Sequence, residues 1–211
     1  MKTLIISGGS ITKELLTKTL INENFDIIIA ADKGLEILDI CKITPNYIIG
    51  DFDSVNTKLI NKYSNSKIIK LNPEKDFTDT HMAIKLAIEI KSTEILVLGA
   101  IGTRIDHTIA NIHILKECLE KNIKCQIVNE NNKIFLIKEE TIIGLENKYN
   151  YISLIPLTTE VTGVTLTGFK YLLKNATLRI GESIGVSNEQ LNKEAKIELE
   201  NGILICIKSK D

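Results

Sequence analysis

Two aspartates stand two residues apart in the segment GDFDS, residues 50–54, directly after an apolar run at 46–50. In an extended segment residues i and i+2 point to the same side, so the carboxylates of Asp51 and Asp53 would face one way. At about 4 Å and an effective dielectric constant of about 20, two such charges repel by about 4 kcal/mol. The pair therefore predicts a positively charged partner.

Polar or glycine-bearing segments follow five predicted strands in succession. They are SGGS 7–10, ADKG 31–34, GDFDS 50–54, NPEKDFTDT 72–80 and GAIGTRIDH 99–107. In open α/β sheets ligands bind beyond the carboxyl ends of the strands, where loops and helix N-termini converge. A single segment of this kind is also explained by a tight turn or a helix N-cap. Five in a row indicate a ligand site.

Six aspartates would converge on that edge of the sheet. They are Asp32, Asp51, Asp53, Asp76, Asp79 and Asp106. Carboxylate oxygens are hard ligands that favour Mg²⁺, which proteins usually bind through a few carboxylates together with substrate phosphates. The sequence therefore predicts a magnesium and phosphate site.

A helix that begins near Thr78 would place Asp76 and Asp79 three residues apart at its first turn, where both can face one metal or phosphate cluster. The alternative for Asp79 is an acid that only complements the helix dipole. Arg104 either holds a phosphate with its planar guanidinium or forms a structural ion pair. His107, beside Asp106 at a helix start, either caps and packs there or takes part in catalysis.

The elements that must position these residues alternate between strand and helix up to about residue 128. Apolar runs at 3–7, 26–30, 46–50, 67–71, 94–99 and 124–128 predict strands, and helical spacing at 78–91 and 106–121 predicts helices. This order is typical of a Rossmann-like parallel sheet. Short runs punctuated by glycine follow and predict a small antiparallel β-sandwich. We expect an α/β domain over 1–130 and the sandwich domain over 131–211.

Composition narrows the class of partner. The chain has 211 residues, 44% hydrophobic and 25% charged, with a net charge of −1, so a globular protein is expected. The sequence contains no cluster of Lys and Arg residues. This argues against nucleic acid and anionic membranes as partners and favours small molecules. Apolar stretches stay well under 18 residues, and we expect a cytoplasmic protein with reduced cysteines.

Six segments resemble motifs of the thiamine pyrophosphokinase family and occur in the family's order over nearly the whole chain. They are GDFDS, EKDFTDT, GAIGTRIDHTIANI, SLIPL, GFKYLL and GVSNE. The chain departs from the family pattern at Lys33, where a second glycine is usual, and at Thr103, where glycine is common. It has no tryptophan, so stacking on thiamine would fall to Phe, Tyr or aliphatic side chains.

The resemblance implies a nucleotide-binding catalytic domain, a sandwich that contributes to a thiamine pocket, and a homodimer with shared active sites. It implies the reaction of ATP with thiamine to give AMP and thiamine diphosphate. Carried over by motif, Asp51, Asp53 and Asp79 would hold Mg²⁺, with Asp76 and Asp32 nearby. Arg104 would bind phosphate, Asp106 would orient or deprotonate the thiamine hydroxyl, and Ser187 and Asn188 would face thiamine. Thr78 and His107 are also expected among the substrate-binding residues.

Three other functions fit parts of the pattern. An apolar strand followed by Asp-x-Asp occurs in haloacid-dehalogenase-type phosphatases, in which the first Asp is a phosphorylated nucleophile. That motif normally ends the first strand of the core, whereas two βα units precede it here. Nucleotide-sugar transferases also use Asp-x-Asp for a metal. A regulatory module that binds thiamine or nucleotide without turnover is the non-enzyme alternative.

Overall fold

The computed structural model describes residues 1–52, 57–72, 74 and 76–211. These residues form two units, Met1–Glu130 and Asn131–Asp211. The first unit is a mixed α/β structure with parallel strands, and the second consists of antiparallel strands. The predicted fold class is therefore confirmed. Within the described ranges, every helix is too short or too polar to cross a lipid bilayer.

The first unit contains six strands and five helices. Its strands are β1 (Lys2–Ile6), β2 (Ile27–Ala31), β3 (Tyr47–Gly50), β4 (Lys67–Lys70), β5 (Glu94–Leu98) and β6 (Lys124–Val128). Its helices are α1 (Lys13–Asn22), α2 (Gly34–Ile40), α3 (Thr57–Lys62), α4 (Asp79–Glu89) and α5 (Ile105–Glu120). The predicted strands and the two predicted helices are present, with ends displaced by one or two residues.

The strands of this unit pair in parallel in the order β4-β3-β2-β1-β5-β6. The chain first builds outward from β1 to β4 and then returns to β5 on the other side of β1. Ligands bind at such a reversal of strand order in open α/β sheets. β1 and β5 are buried almost throughout, as expected of central strands in a parallel sheet, whereas β4 is largely exposed.

The local sequence fixes where helix α4 begins. Thr78 has extended backbone angles, and its side chain accepts a hydrogen bond from the backbone N–H of His81 at 3.2 Å. That bond caps the helix N-terminus. The buried face of α4 carries small and aliphatic residues, including Ala83, Ile84 and Ala87. Asp79 is therefore fixed in the first helical turn.

The second unit contains seven strands. They are β7 (Asn132–Ile137), β8 (Thr141–Gly144), β9 (Tyr151–Pro156), β10 (Glu160–Thr167), β11 (Ala176–Arg179), β12 (Glu194–Glu198) and β13 (Leu204–Ser209). One antiparallel group has the order β7-β13-β9 and the other β11-β10-β12-β8. Leu154 and Cys206 from the first group share a buried cluster with Val164 and Ile197 from the second. The two groups thus enclose one core, as in a sandwich.

Candidate active site

Glycines allow the loops after β1 and β5 to meet at the reversal of strand order. The N–H of Gly9 donates to the carbonyl of Gly99 at 2.8 Å. A Cβ atom on Gly9 would lie 2.4 Å from that carbonyl oxygen. Gly99 has a φ of +72°, and a Cβ there would lie 2.5 Å from the carbonyl oxygen of Ser7. Only glycine fits both positions without displacement of the backbone.

Three aspartates bring their carboxylates together at this end of the sheet. Asp32, Asp51 and Asp79 are half-buried, and one oxygen from each lies within 4.8 Å of the others. The ligand oxygens of a Mg²⁺ ion lie at about 2.0–2.1 Å from the metal, so neighbouring ligands are about 3–4 Å apart. The three carboxylates can therefore hold such an ion after a small adjustment of their side chains.

Each carboxylate reaches the group from a different element. Asp51 directly follows β3, and Asp79 lies in the first turn of α4. Asp32 follows β2 with a φ of +47°, and its N–H donates to the carbonyl of Ile49 at 2.9 Å. Positive φ is uncommon outside glycine and is tolerated best by Asn and Asp. The backbone conformation at residue 32 therefore favours Asn and Asp, and both of these have a side-chain oxygen that could bind a metal ion.

The sequence assigned the metal to Asp51, Asp53 and Asp79 and placed Asp32 nearby. The structure brings Asp32 into the group with Asp51 and Asp79. Asp53 lies outside the described residues. Asp32 was thus expected near the metal but was not assigned as a ligand, and the positive φ at residue 32 is not visible in a residue pattern.

A cavity of about 610 Å³ opens beside the carboxylates. Its lining residues come from the ends of β1, β2 and β5 and from the starts of α4 and α5. Among them are the glycines Gly8, Gly9, Gly99 and Gly102 and the predicted site residues Asp32, Asp76, Thr78, Asp79, Arg104 and His107. Lys33 and Thr103 also line it. The volume is within the range of small-molecule sites.

Arg104 and Asp106 form an exposed ion pair at the start of α5. The two N–H···O distances are 2.5 Å and 3.2 Å, and the side chains are 70% and 64% exposed. Hydrogen bonding from Arg104 holds the pKa of the Asp106 carboxyl below its usual value. The ion pair therefore favours the charged form of the Asp106 carboxylate. A phosphate that binds Arg104 would have to share its guanidinium with Asp106.

Helix α5 holds the loop that carries Arg104. The buried amide of Asn111 donates to the carbonyl of Ala100 at 2.8 Å. The hydroxyl of Thr108 donates to the carbonyl of Arg104 and accepts from the N–H of Gly102, at 3.3 Å and 3.4 Å. Asn111 and Thr108 were not among the predicted site residues, although both lie within the motif GAIGTRIDHTIANI.

Ser187 and Asn188 lie in the second unit and differ in their surroundings. Asn188 is buried; its side-chain oxygen accepts from the N–H groups of Tyr171 and Glu189 at 3.0 Å and 2.9 Å, and its amide donates to the carbonyl of Tyr171 at 2.7 Å. Ser187 is exposed and has a φ of +58°. The Asn188 side chain therefore fixes the segment around Tyr171, while that of Ser187 points to solvent.

Comparisons with known proteins match both units. A family model described as the thiamin pyrophosphokinase catalytic domain matches residues 18–127, and one described as the thiamin pyrophosphokinase vitamin B1 binding domain matches residues 138–204. Thiamine pyrophosphokinase from Bacillus subtilis is 34% identical over the full length of both chains. Thiamin pyrophosphokinase 1 from Caenorhabditis elegans is 26% identical, over 77% of this chain and 70% of its own.

Solved structures agree with the sequence matches. The crystal structure of the Bacillus subtilis thiamine pyrophosphokinase superposes with a TM-score of 0.89, 30% identity and full coverage of both chains. That of the Geobacillus thermodenitrificans thiamin pyrophosphokinase has a TM-score of 0.88 and 28% identity, and covers all of this chain and 98% of the other. Together with the motifs and the topology of the site, these matches show that the chain belongs to the thiamine pyrophosphokinase family of enzymes.

Proposed function

We propose that the chain transfers the pyrophosphoryl group of ATP to the hydroxyl of thiamine in a Mg²⁺-dependent reaction that yields thiamine diphosphate and AMP. The observation that carries the proposal is the carboxylate group Asp32, Asp51 and Asp79 beside a cavity with glycine-rich walls. Phosphoryl-type transfer needs little covalent help from the protein. Positioning and charge neutralisation supply most of the catalysis.

In this proposal the carboxylates of Asp32, Asp51 and Asp79 hold Mg²⁺ on the triphosphate, with Asp53 as a further ligand and Asp76 close by. Bound there, Mg²⁺ would neutralise charge on the phosphate oxygens. Asp51 acts as a metal ligand rather than as a nucleophile. Its place after the third strand, with two βα units before it, supports this assignment over a phosphatase of the haloacid-dehalogenase type.

In the chemical step one proton moves, one P–O bond forms and one P–O bond breaks. The thiamine hydroxyl oxygen attacks the β-phosphorus, the bond from that phosphorus to the oxygen bridging it to the α-phosphorus breaks, and AMP leaves. Asp106 accepts the hydroxyl proton, and Arg104 binds the phosphates. The carboxylate of Asp106 and the planar guanidinium of Arg104 lie together at the start of α5, and this placement supports these roles. Thr78 and His107, which line the cavity, would contact substrate.

We assign nucleotide binding to residues 1–130 and thiamine binding to residues 131–211, with Ser187 at the thiamine site and Asn188 as its support. We further propose a homodimer whose active sites combine residues of two chains, a proposal that rests on the family resemblance. Sedimentation velocity at micromolar concentration tests it. A monomer that retains full specific activity would contradict the shared site.

The function itself is tested by incubating the protein with thiamine, ATP and Mg²⁺ and separating the products by chromatography. We expect AMP and thiamine diphosphate in equal amounts. A phosphorylated aspartate with release of inorganic phosphate would support the phosphatase instead. Binding of both substrates without any AMP would support the regulatory module.

A further inference from the structure

One large apolar residue, Phe77, is among the residues that line the cavity. Phe77 lies between Asp76 and Thr78, directly before α4, and is 43% exposed. Phe77 and His107 are the aromatic side chains among the described lining residues. A partly exposed phenylalanine beside polar groups leaves apolar surface that a flat ligand group can cover.

Helix α4 fixes the Phe77 ring from one side. The His81 ring contacts it edge to face, with centroids 4.6 Å apart and an interplanar angle of 67°. The ammonium of Lys85 lies 4.8 Å from the ring centroid. Both contacts come from residues one and two helical turns into α4. The ring is thus preorganised, and it keeps a large exposed surface.

Phe77 also lies at a suitable separation from the carboxylate group. Phe77 stands two positions before Asp79 in the chain, so the Cα atoms of the two residues are at most about 7 Å apart. Phe77 and Asp79 also line the same cavity, so a nucleoside triphosphate held through its phosphates at Asp79 can reach Phe77 with another part of the molecule. That part is a ribose and a flat, neutral heteroaromatic base, and bases stack on aromatic side chains.

The charge beside the ring argues for a nucleobase over the thiazolium of thiamine. A cation is attracted to the face of an aromatic ring, and Lys85 already supplies one. A second cation on the opposite face would lie about 10 Å or less from the Lys85 ammonium, whose charge is partly offset by Glu117 at 3.8 Å, so a weak repulsion would remain at ordinary ionic strength. A neutral base meets no such repulsion.

From these observations we propose that Phe77 stacks against the nucleobase of the bound nucleoside triphosphate and gives the enzyme a preference for a purine. The inference rests on the proposed function, since it takes the cavity to be the nucleotide site. It adds a residue that recognises the base, in contrast to the groups that hold the phosphates.

The test compares a nucleotide with its phosphate portion alone. Isothermal titration calorimetry in the presence of Mg²⁺ would measure the Kd of α,β-methylene ATP and of inorganic triphosphate for the wild type, Phe77→Ala and Phe77→Leu. Tyr47→Ala is the matched control, because Tyr47 is a partly exposed ring with Lys67 at 5.7 Å and lies at the opposite end of β3 from Asp51.

We expect Phe77→Ala to raise the Kd of α,β-methylene ATP about tenfold and to leave the Kd of inorganic triphosphate unchanged. Phe77→Leu should give an intermediate Kd for α,β-methylene ATP, and Tyr47→Ala should bind both ligands like the wild type. The ratio of Kd values for the matching cytidine analogue and α,β-methylene ATP should fall towards one in Phe77→Ala. An unchanged nucleotide Kd, or equal weakening of both ligands, overturns the inference and leaves the proposed function standing. A wild type that binds neither ligand overturns both.

Discussion

Asp32 and Asp79 offer carboxylate oxygens within 4.8 Å of each other, although one follows β2 and the other begins α4. The parallel sheet produces this closeness, because the carboxyl end of β2 and the loop that leads into α4 lie on the same edge. Asp51 completes the group from β3, the neighbour of β2. The topology thus gathers acidic side chains that are widely separated in the chain.

Asp32→Asn should weaken metal binding while preserving the fold. Asn adopts the positive φ of residue 32 as readily as Asp does, and the change removes one of three clustered negative charges. We expect Mn²⁺ affinity, followed by electron paramagnetic resonance with the nucleotide bound, to fall about tenfold or more. The free energy of unfolding without metal should stay the same or rise.

Asp76→Asn is the matched control, since Asp76 lines the same cavity but lies outside the three-carboxylate group. Its Mn²⁺ affinity should fall much less. Equal affinities for the wild type and Asp32→Asn would show that Asp32 is not a metal ligand.

Arg104→Gln should raise the pKa of the Asp106 carboxyl towards the ordinary value of about 3.9. The reason is that hydrogen bonding from Arg104 is the main cause of the lowered pKa. A pH titration followed by carboxyl ¹³C NMR measures it directly. Arg179→Gln, which removes an exposed arginine paired with Glu160, should leave Asp106 unchanged. An Asp106 pKa that is the same with and without Arg104 would refute the pairing.

Asn188→Ala should destabilise the protein by about 1–2 kcal/mol, because it removes three hydrogen bonds that the buried Asn188 side chain makes to backbone groups of Tyr171 and Glu189. Urea unfolding followed by circular dichroism provides the measurement. Asn192→Ala, at an exposed position nearby, should have little effect. If Asn188→Ala unfolds like the wild type but binds thiamine poorly, the residue acts on substrate and not on the fold.

Glu146→Gln should destabilise the protein by about 1–2 kcal/mol at pH 7. Burial raises the pKa of Glu146, but hydrogen bonds from Lys208 and Lys133 outweigh it, so the net pKa is lowered. Because the pKa of Glu146 is lowered in the folded state, the stabilisation is present above the pKa that Glu146 has in the unfolded chain, which is about 4.3. It is lost as the pH falls through the folded-state pKa.

The free energies of unfolding of wild type and Glu146→Gln should therefore differ at pH 7 and converge below about pH 4. Glu189→Gln, which breaks the exposed pair with Lys170, is the control and should change stability little at either pH. A Glu146→Gln difference that is independent of pH would show that packing, and not charge, underlies it.

The sequence predicted the parallel sheet well because buried central strands such as β5 are continuous apolar runs. In the second unit the runs that predicted strands, such as KIFLI, YISLIPL, GVTLTGF, ATLRI and GILICIK, did not include β8 or β12. Strand β12 alternates charged residues with the buried Ala195 and Ile197, so its period of two was present but its composition was not strand-like. The roles of Asp32 and Asn188 depend on a positive φ and on burial, which emerge only when the chain is folded.

The most direct test of the central claim uses ATP labelled with ³²P in its β-phosphate, together with thiamine and Mg²⁺. Transfer of a pyrophosphoryl group by attack on the β-phosphorus should place the label in thiamine diphosphate and leave AMP unlabelled. Attack on the γ-phosphorus would instead give unlabelled thiamine monophosphate and labelled ADP, and that result would contradict the proposed reaction.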